Sequence, residues 1–136
     1  MSYGVSAALQ EAVYQQLTAD AILSTLVTGA IYDAVPAGII TGTYVSLGPE
    51  DVRERSDMTG YGALHEITVS VVTDEAGFQT AKEVAAAVND ALVDATLTLA
   101  RGQLVYLNFH RARARRVEDA DIRRIDLFFR ARVQDD

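Results

Sequence analysis

Arginine is the residue type best placed to do chemistry in this chain, and its distribution is uneven. Residues 1–100 hold three basic side chains, Arg53, Arg55 and Lys82, against thirteen acids. Residues 101–136 hold nine arginines, no lysine and six acids. The arginines sit inside apolar alternation, first in QLVYLNFHRARARRV and again in IRRIDLFFRARV. A guanidinium stays charged, presents a planar fork of donors to carboxylate or phosphate, and stacks its flat face on aromatic rings. Three roles are therefore open: neutralising the phosphates of a nucleic acid, gripping a protein partner, or forming a solvated charged face.

If the strand that begins at 103 runs that far, its two-residue period puts Arg111, Arg113 and Arg115 on one side, and the next strand puts Arg124, Arg130 and Arg132 on one side. Phe128 shares the parity of Arg124 and Arg130, so an aromatic ring is expected beside the forks. That mixture is typical of the residues that dominate protein–protein binding. Asp126 lies in the same strand and Glu118, Asp119 and Asp121 in the link before it, where ion pairs absorb part of the charge. Arginine without lysine favours a protein interface. The alternative is a small nucleic-acid-binding module that uses the C-terminal arginine face. The acid-rich first hundred residues supply a complementary surface, and a basic edge meeting an acidic edge on the next copy is a contact that closes into rings.

Catalysis has little to work with. His65 and His110 are the only histidines, neither in a short-spaced ligand motif, so no metal site is expected. His65 and Glu66 diverge within one strand and cannot form a dyad. No GxSxG elbow, phosphate-binding loop or GxGxxG is present, and the chain has no cysteine. The reading is a protein that is not an enzyme and needs no cofactor. Its formal charge of −7 argues against general attraction to DNA or to an anionic membrane. No apolar run approaches the roughly 18 residues of a membrane span, and no secretory signal is expected.

The elements that position the arginines follow from periodicity. Val5, Leu9, Val13 and Leu17 recur at helical spacing across residues 5–17, as do Ala81, Val84, Ala85, Val88 and Leu92 across 78–92. Asp20 caps a short helix over 21–26, and Gly29 ends it. Strands are expected at 44–47, 64–73, 103–111 and 122–133, with a short one near 30–33. Gly48-Pro49 stops the first of these. A charged, glycine-bearing loop at about 49–63 then carries Arg53 and Arg55, and His65 opens the following strand at a solvated or hydrogen-bonded position. The sum is one α+β domain over residues 1–136, with a mixed or antiparallel sheet of about four strands and two main helices on one face.

Several segments taken together resemble a known family. They are the N-terminal helix with Leu9 and Leu17, Ile31-Tyr32-Asp33 before Val35-Pro36, and Tyr44-Val45-Ser46-Leu47-Gly48-Pro49. The strand with His65-Glu66-Ile67, the helix AKEVAAAVNDAL and the arginine-bearing final strand complete the set. Over nearly its whole length the chain resembles the phage tail-terminator, or tail completion, proteins of the DUF3168 type, found in siphophage-like and gene transfer agent tails. The resemblance implies a structural subunit that forms a homo-hexameric ring on the head-proximal end of the tail tube. Its partners would be the tail tube protein and a head completion or neck protein, with DNA passing through the lumen without sequence-specific binding. It implies a place in the virion neck and, during assembly, in the host cytoplasm. The family carries no active motif to transfer. Interface roles for Arg111, Arg113, Arg115, Arg124, Phe128, Arg130 and Arg132, and lumen or loop contact for Arg53 and Arg55, are therefore expectations from this chain alone.

Overall fold

The computed structural model describes residues 2–38, 41–55, 61–117 and 121–135. A 3₁₀ turn at Ser2–Val5 leads into helix α1 (Ser6–Ala19) and helix α2 (Ala21–Leu26). Strands β1 (Ile31–Tyr32), β2 (Thr43–Glu54) and β3 (Tyr61–Thr73) follow, then helix α3 (Gln79–Leu92) and strands β4 (Gln103–Val117) and β5 (Ile122–Asp135). The five strands form one mixed sheet in the order β1-β2-β3-β5-β4. Only the β1–β2 pair is parallel.

One side of the sheet is covered by helices. Leu9, Val13 and Leu17 of α1 and Ala81, Val84, Val88 and Leu92 of α3 are buried, as the helical spacing requires. They meet Val69 and Val71 of β3 and Ile125, Leu127, Phe129, Ala131 and Val133 of β5. Alanines on α3 bring its backbone close to the strands, and Phe129 is the largest side chain fully enclosed. Asp20 caps α2 by accepting from the Leu23 N–H at 2.9 Å. Both main helices thus stand where periodicity puts them. The fifth strand is β1, the short one expected near 30–33, which pairs at Ile31↔Val45 and Tyr32↔Ser46, and β4 runs to Val117, past the expected end at 111.

Two expectations require correction. The loop at about 49–63 is mostly strand: β2 runs on through Gly48 and Pro49 to Glu54, and β3 begins at Tyr61. A bulge between Leu47 and Glu50 absorbs the two residues that were to stop the strand. Pro49 lacks an N–H, and an edge strand at a bulge is where that lack is tolerated. Residues 56–60 of the expected loop lie outside the described residues, as do 118–120 of the acidic link. His65, in turn, lies inside β3 and is fully buried. Its parity with Ile67 and Val69 turns it toward the helices, where Nδ1 lies 3.1 Å from Glu50 Oε2. Ser6 Oγ donates to the other oxygen of Glu50 at 2.6 Å, which ties the start of α1 to the bulge of β2.

The junction of the last loop and the first turn is equally tight. Gly102 has φ +72°, and a Cβ there would lie 2.4 Å from the Gln134 carbonyl oxygen and 2.8 Å from Val5 Cγ2. Gly102→Ala is therefore expected to cost more than about 1 kcal/mol of stability, because an L side chain is strained at this φ and has no room. A drop in the midpoint of chemical unfolding checks this; an unchanged midpoint contradicts it.

Candidate functional site: an arginine-rich sheet face

The other side of the sheet has no helix over it among the described residues. Along β5 the outward residues are Arg124, Asp126, Phe128, Arg130 and Arg132, alternating with the buried set. Across β3 they face Val72, Ser70, Thr68, Glu66 and Leu64 in turn. Arg53 and Asp51 of β2 extend the same face, opposite Leu64 and Glu66. On the far side, β4 places Arg115 against Arg124, Arg113 against Asp126 and Arg111 against Phe128. Seven of the nine sequence-derived site residues are thus gathered as arginines on one surface with the eighth, Phe128. The ninth, Arg55, sits just past β2 and accepts through its carbonyl a hydrogen bond from Arg132 Nη2.

Bulges in β4 make this grouping possible. In a straight strand Phe109 and Arg111 would share a face, because they are two residues apart. Phe109 pairs with Phe129, Arg111 pairs with Phe128, and His110 is the extra residue between them. The bulge reverses the parity. Leu107 and Phe109 turn toward the helix side, while Arg111, Arg113 and Arg115 turn outward. A second bulge between Leu104 and Tyr106 makes Val105 the extra residue, so Val105 does not share a face with Leu107 and Phe109 as simple alternation requires.

Asp126 organises the charge. Arg124 Nε donates to its Oδ1 at 2.9 Å, Ser70 Oγ donates to the same atom at 2.6 Å, and Arg115 lies 3.9 Å from its other oxygen. Burial pushes the Asp126 carboxyl up, but the hydrogen bonds from Ser70 and Arg124 and the charges of Arg124 and Arg115 outweigh it. Its pKa lies below the ordinary carboxylate value. Phe128 is half-buried rather than open, since the Arg111 guanidinium stands 4.1 Å over its ring. Contacts of this kind contribute roughly 0.5–1 kcal/mol at an exposed site. His110 reaches toward Glu66 at 4.0 Å. Among the described residues, Arg53, Arg113 and Arg130 make no ion pair. Arg53 and Arg130 help line a shallow hollow of about 200 Å³ with Asp51, Arg55, Leu64 and Glu66.

This surface holds no catalytic arrangement. Its polar groups are spread along strands, and no group of three or more potential metal ligands occurs among the described residues. In the Ser6–Glu50–His65 set the carboxylate lies between the hydroxyl and the imidazole, so His65 does not stand against the serine. What the face can do is bind: planar forks, one stacked aromatic ring and an excess of guanidinium over Asp51, Glu66 and Asp126. Sequence alternation located these residues. It missed the fork from Arg101 to Asp135, at 3.1 and 2.7 Å, which closes the start of β4 onto the end of β5. The two residues are 34 positions apart, and no local pattern links them.

The chain matches the family described as Tail completion protein gp17 over residues 11–134. It belongs to that family. A chain from a solved structure described as the virion of a native gene transfer agent (GTA) particle is 67% identical. That match covers 98% of this chain and 99% of the other, with a TM-score of 0.92. No curated protein matches. The sheet face described above therefore belongs to a tail completion protein, and a structural tail role accounts for it.

Acid will test the pairing on this fold. The hydrogen bonds from Arg101 hold Asp135 below the ordinary carboxylate value, as the Ser70 and Arg124 network holds Asp126. A lowered native pKa contributes stability above the unfolded value of about 3.9 that is lost as the pH falls through the native one. The thermal midpoint is expected to fall as the pH drops below about 4, and Asp126→Asn to flatten part of that fall. A midpoint constant down to pH 2, on the order of two units below the unfolded value, would contradict the network.

Proposed function

We propose that the chain is a tail terminator: a structural subunit that assembles as a homo-hexameric ring on the head-proximal end of the tail tube. The ring ends tube polymerisation and presents the surface on which head completion or neck proteins dock. The observation that carries this is the combination of the family match over residues 11–134 with an arginine-rich sheet face that no helix covers among the described residues. A terminator must bind its neighbours on two borders, the tube on one side and the neck on the other. A chain of 136 residues with so much functionalised surface suits that demand. Arg111, Arg113, Arg115, Arg124, Phe128, Arg130 and Arg132 act in contacts with protein, and Arg53 and Arg55 stand at the border nearest the lumen. DNA passes as cargo; the net charge of −7 opposes general adhesion to it. The subunit works in the virion neck, turns over no substrate, and needs no cofactor.

The nucleic-acid reading keeps one supporting observation, the arginines without ion pairs. Asp126 and Glu66 within the same face work against it, because they oppose the phosphate backbone.

Polymerisation of the cognate tube protein in the presence of this chain tests termination. Added at the start, the chain is expected to shorten the tubes and to leave one end unable to grow when fresh tube protein is supplied. Tubes of unchanged length with both ends growing would overturn the proposal. Salt-sensitive retention of short duplex DNA, lost in Arg111→Ala/Arg113→Ala/Arg115→Ala, would favour the alternative.

A further inference from the structure

β4 is the terminal strand of the sheet. At Leu107 its outer edge is met by the segment after α3, where the Asp94 N–H donates to the Leu107 carbonyl at 3.1 Å. From Asn108 to Arg116 every residue is exposed, yet the alternation continues. Arg111, Arg113 and Arg115 face outward, while Phe109, Ala112 and Ala114 face the helix side, with Phe109 46% exposed. Alternation of apolar with charged residues marks a strand with one face buried. Among the described residues nothing covers this strip, and the N–H and C=O groups of a terminal strand are a template for another strand. Arginines on an edge also deter unwanted pairing. Deterrence accounts for the arginines but not for a phenylalanine and two alanines in register on the other side.

The opposite border of the sheet is its complement. β1 pairs with β2 only at Val45 and Ser46, so among the described residues β2 from Leu47 to Glu54 has no strand on the side away from β3. Asp51 and Glu54 lie on that stretch with Arg53 between them, and exposed Asp33 just after β1 and exposed Glu11 on α1 add to the acids. Beside it, an open groove of about 700 Å³ runs along α1, lined by Tyr3, Ala7, Gln10 and Tyr14 among others. One border is basic with an apolar strip; the other is mainly acidic with a groove.

We propose that β4 of one copy adds antiparallel to the β2 edge of the next, so that the sheet continues across the subunit boundary. β4 already runs opposite to β2 within the sheet, since each of the three intervening pairs is antiparallel. The contact keeps the arginine face on one side and carries Phe109, Ala112 and Ala114 toward the α1 groove of the neighbour. It joins two different borders, so it propagates head to tail and closes when the rotation permits. It rests on the ring reading above and names the strand that closes the ring.

The chain has no cysteine, which makes an engineered pair unique. Arg113→Cys combined with Asp51→Cys, and separately with Arg53→Cys, puts thiols on the outward side of both edges. Mild oxidation of the assembled full-length protein is expected to give a ladder of covalent oligomers in at least one pair, and none in any single variant. Covalent dimers from Arg113→Cys alone would mean β4 meets β4 and would overturn the head-to-tail contact. Assembly without a crosslink in either pair would overturn edge pairing and leave the ring reading standing; an unmodified chain that stays monomeric at high concentration would overturn both. Ala112→Lys/Ala114→Lys is expected to leave the thermal midpoint of the isolated chain unchanged and to weaken assembly at least tenfold. Assembly unaffected by that change would overturn the burial of the strip.

Discussion

The pleat of β5 is the constraint on which the molecule depends. Every second side chain from Ile125 to Val133 is buried against the helices, and the residues between them form the outer face. Because the strand period is two, one register fixes both surfaces at once. A slip by one residue would put Arg124, Arg130 and Arg132 into the core and Phe129 into solvent. β5 is held in register on both sides, by β3 along its length and by β4 through two bulges. The bulge at His110 matters as much as the pairing. Without it Phe109 and the three arginines after it would share a face, and the apolar and charged surfaces of β4 would be mixed.

The outer face is a balance of like charges around a few acids. Asp126 accepts from Ser70 and Arg124 and faces Arg113 across the pair, so it offsets repulsion among the guanidiniums nearest it. Phe128 offers Arg111 a ring face instead of a carboxylate. Arg53, Arg113 and Arg130 form no direct ion pair among the described residues. Groups arranged like this are ready for an external partner but not for catalysis, which needs converging donors and acceptors in a water-poor site. The polar set that is withdrawn from water, Ser6, Glu50 and His65, ties the N-terminal helix to the β2 bulge. It is part of the architecture.

Much of this was legible in the sequence. Helical spacing located α1 and α3, alternation located β3, β4 and β5, and shared parity placed Phe128 with Arg124 and Arg130. The misses have physical causes. Gly48-Pro49 read as a stop, yet β2 continues because a bulge on an edge strand needs no N–H from proline. His65 read as the solvated or hydrogen-bonded opening of a strand; its parity with Ile67 and Val69 was the signal for burial, and its partner Glu50 lay inside the supposed loop. The bulges in β4 had no local signature. The resemblance quoted from the sequence agrees with the family match over residues 11–134, while the roles of the individual arginines rest on the chemistry of the face.

A tail terminator has one place in a particle. Imaging purified particles with a label bound to this chain tests it most directly. The account predicts label at one end of each tail, between tube and head. Label spread along the tube, or absent from the tail, would contradict it.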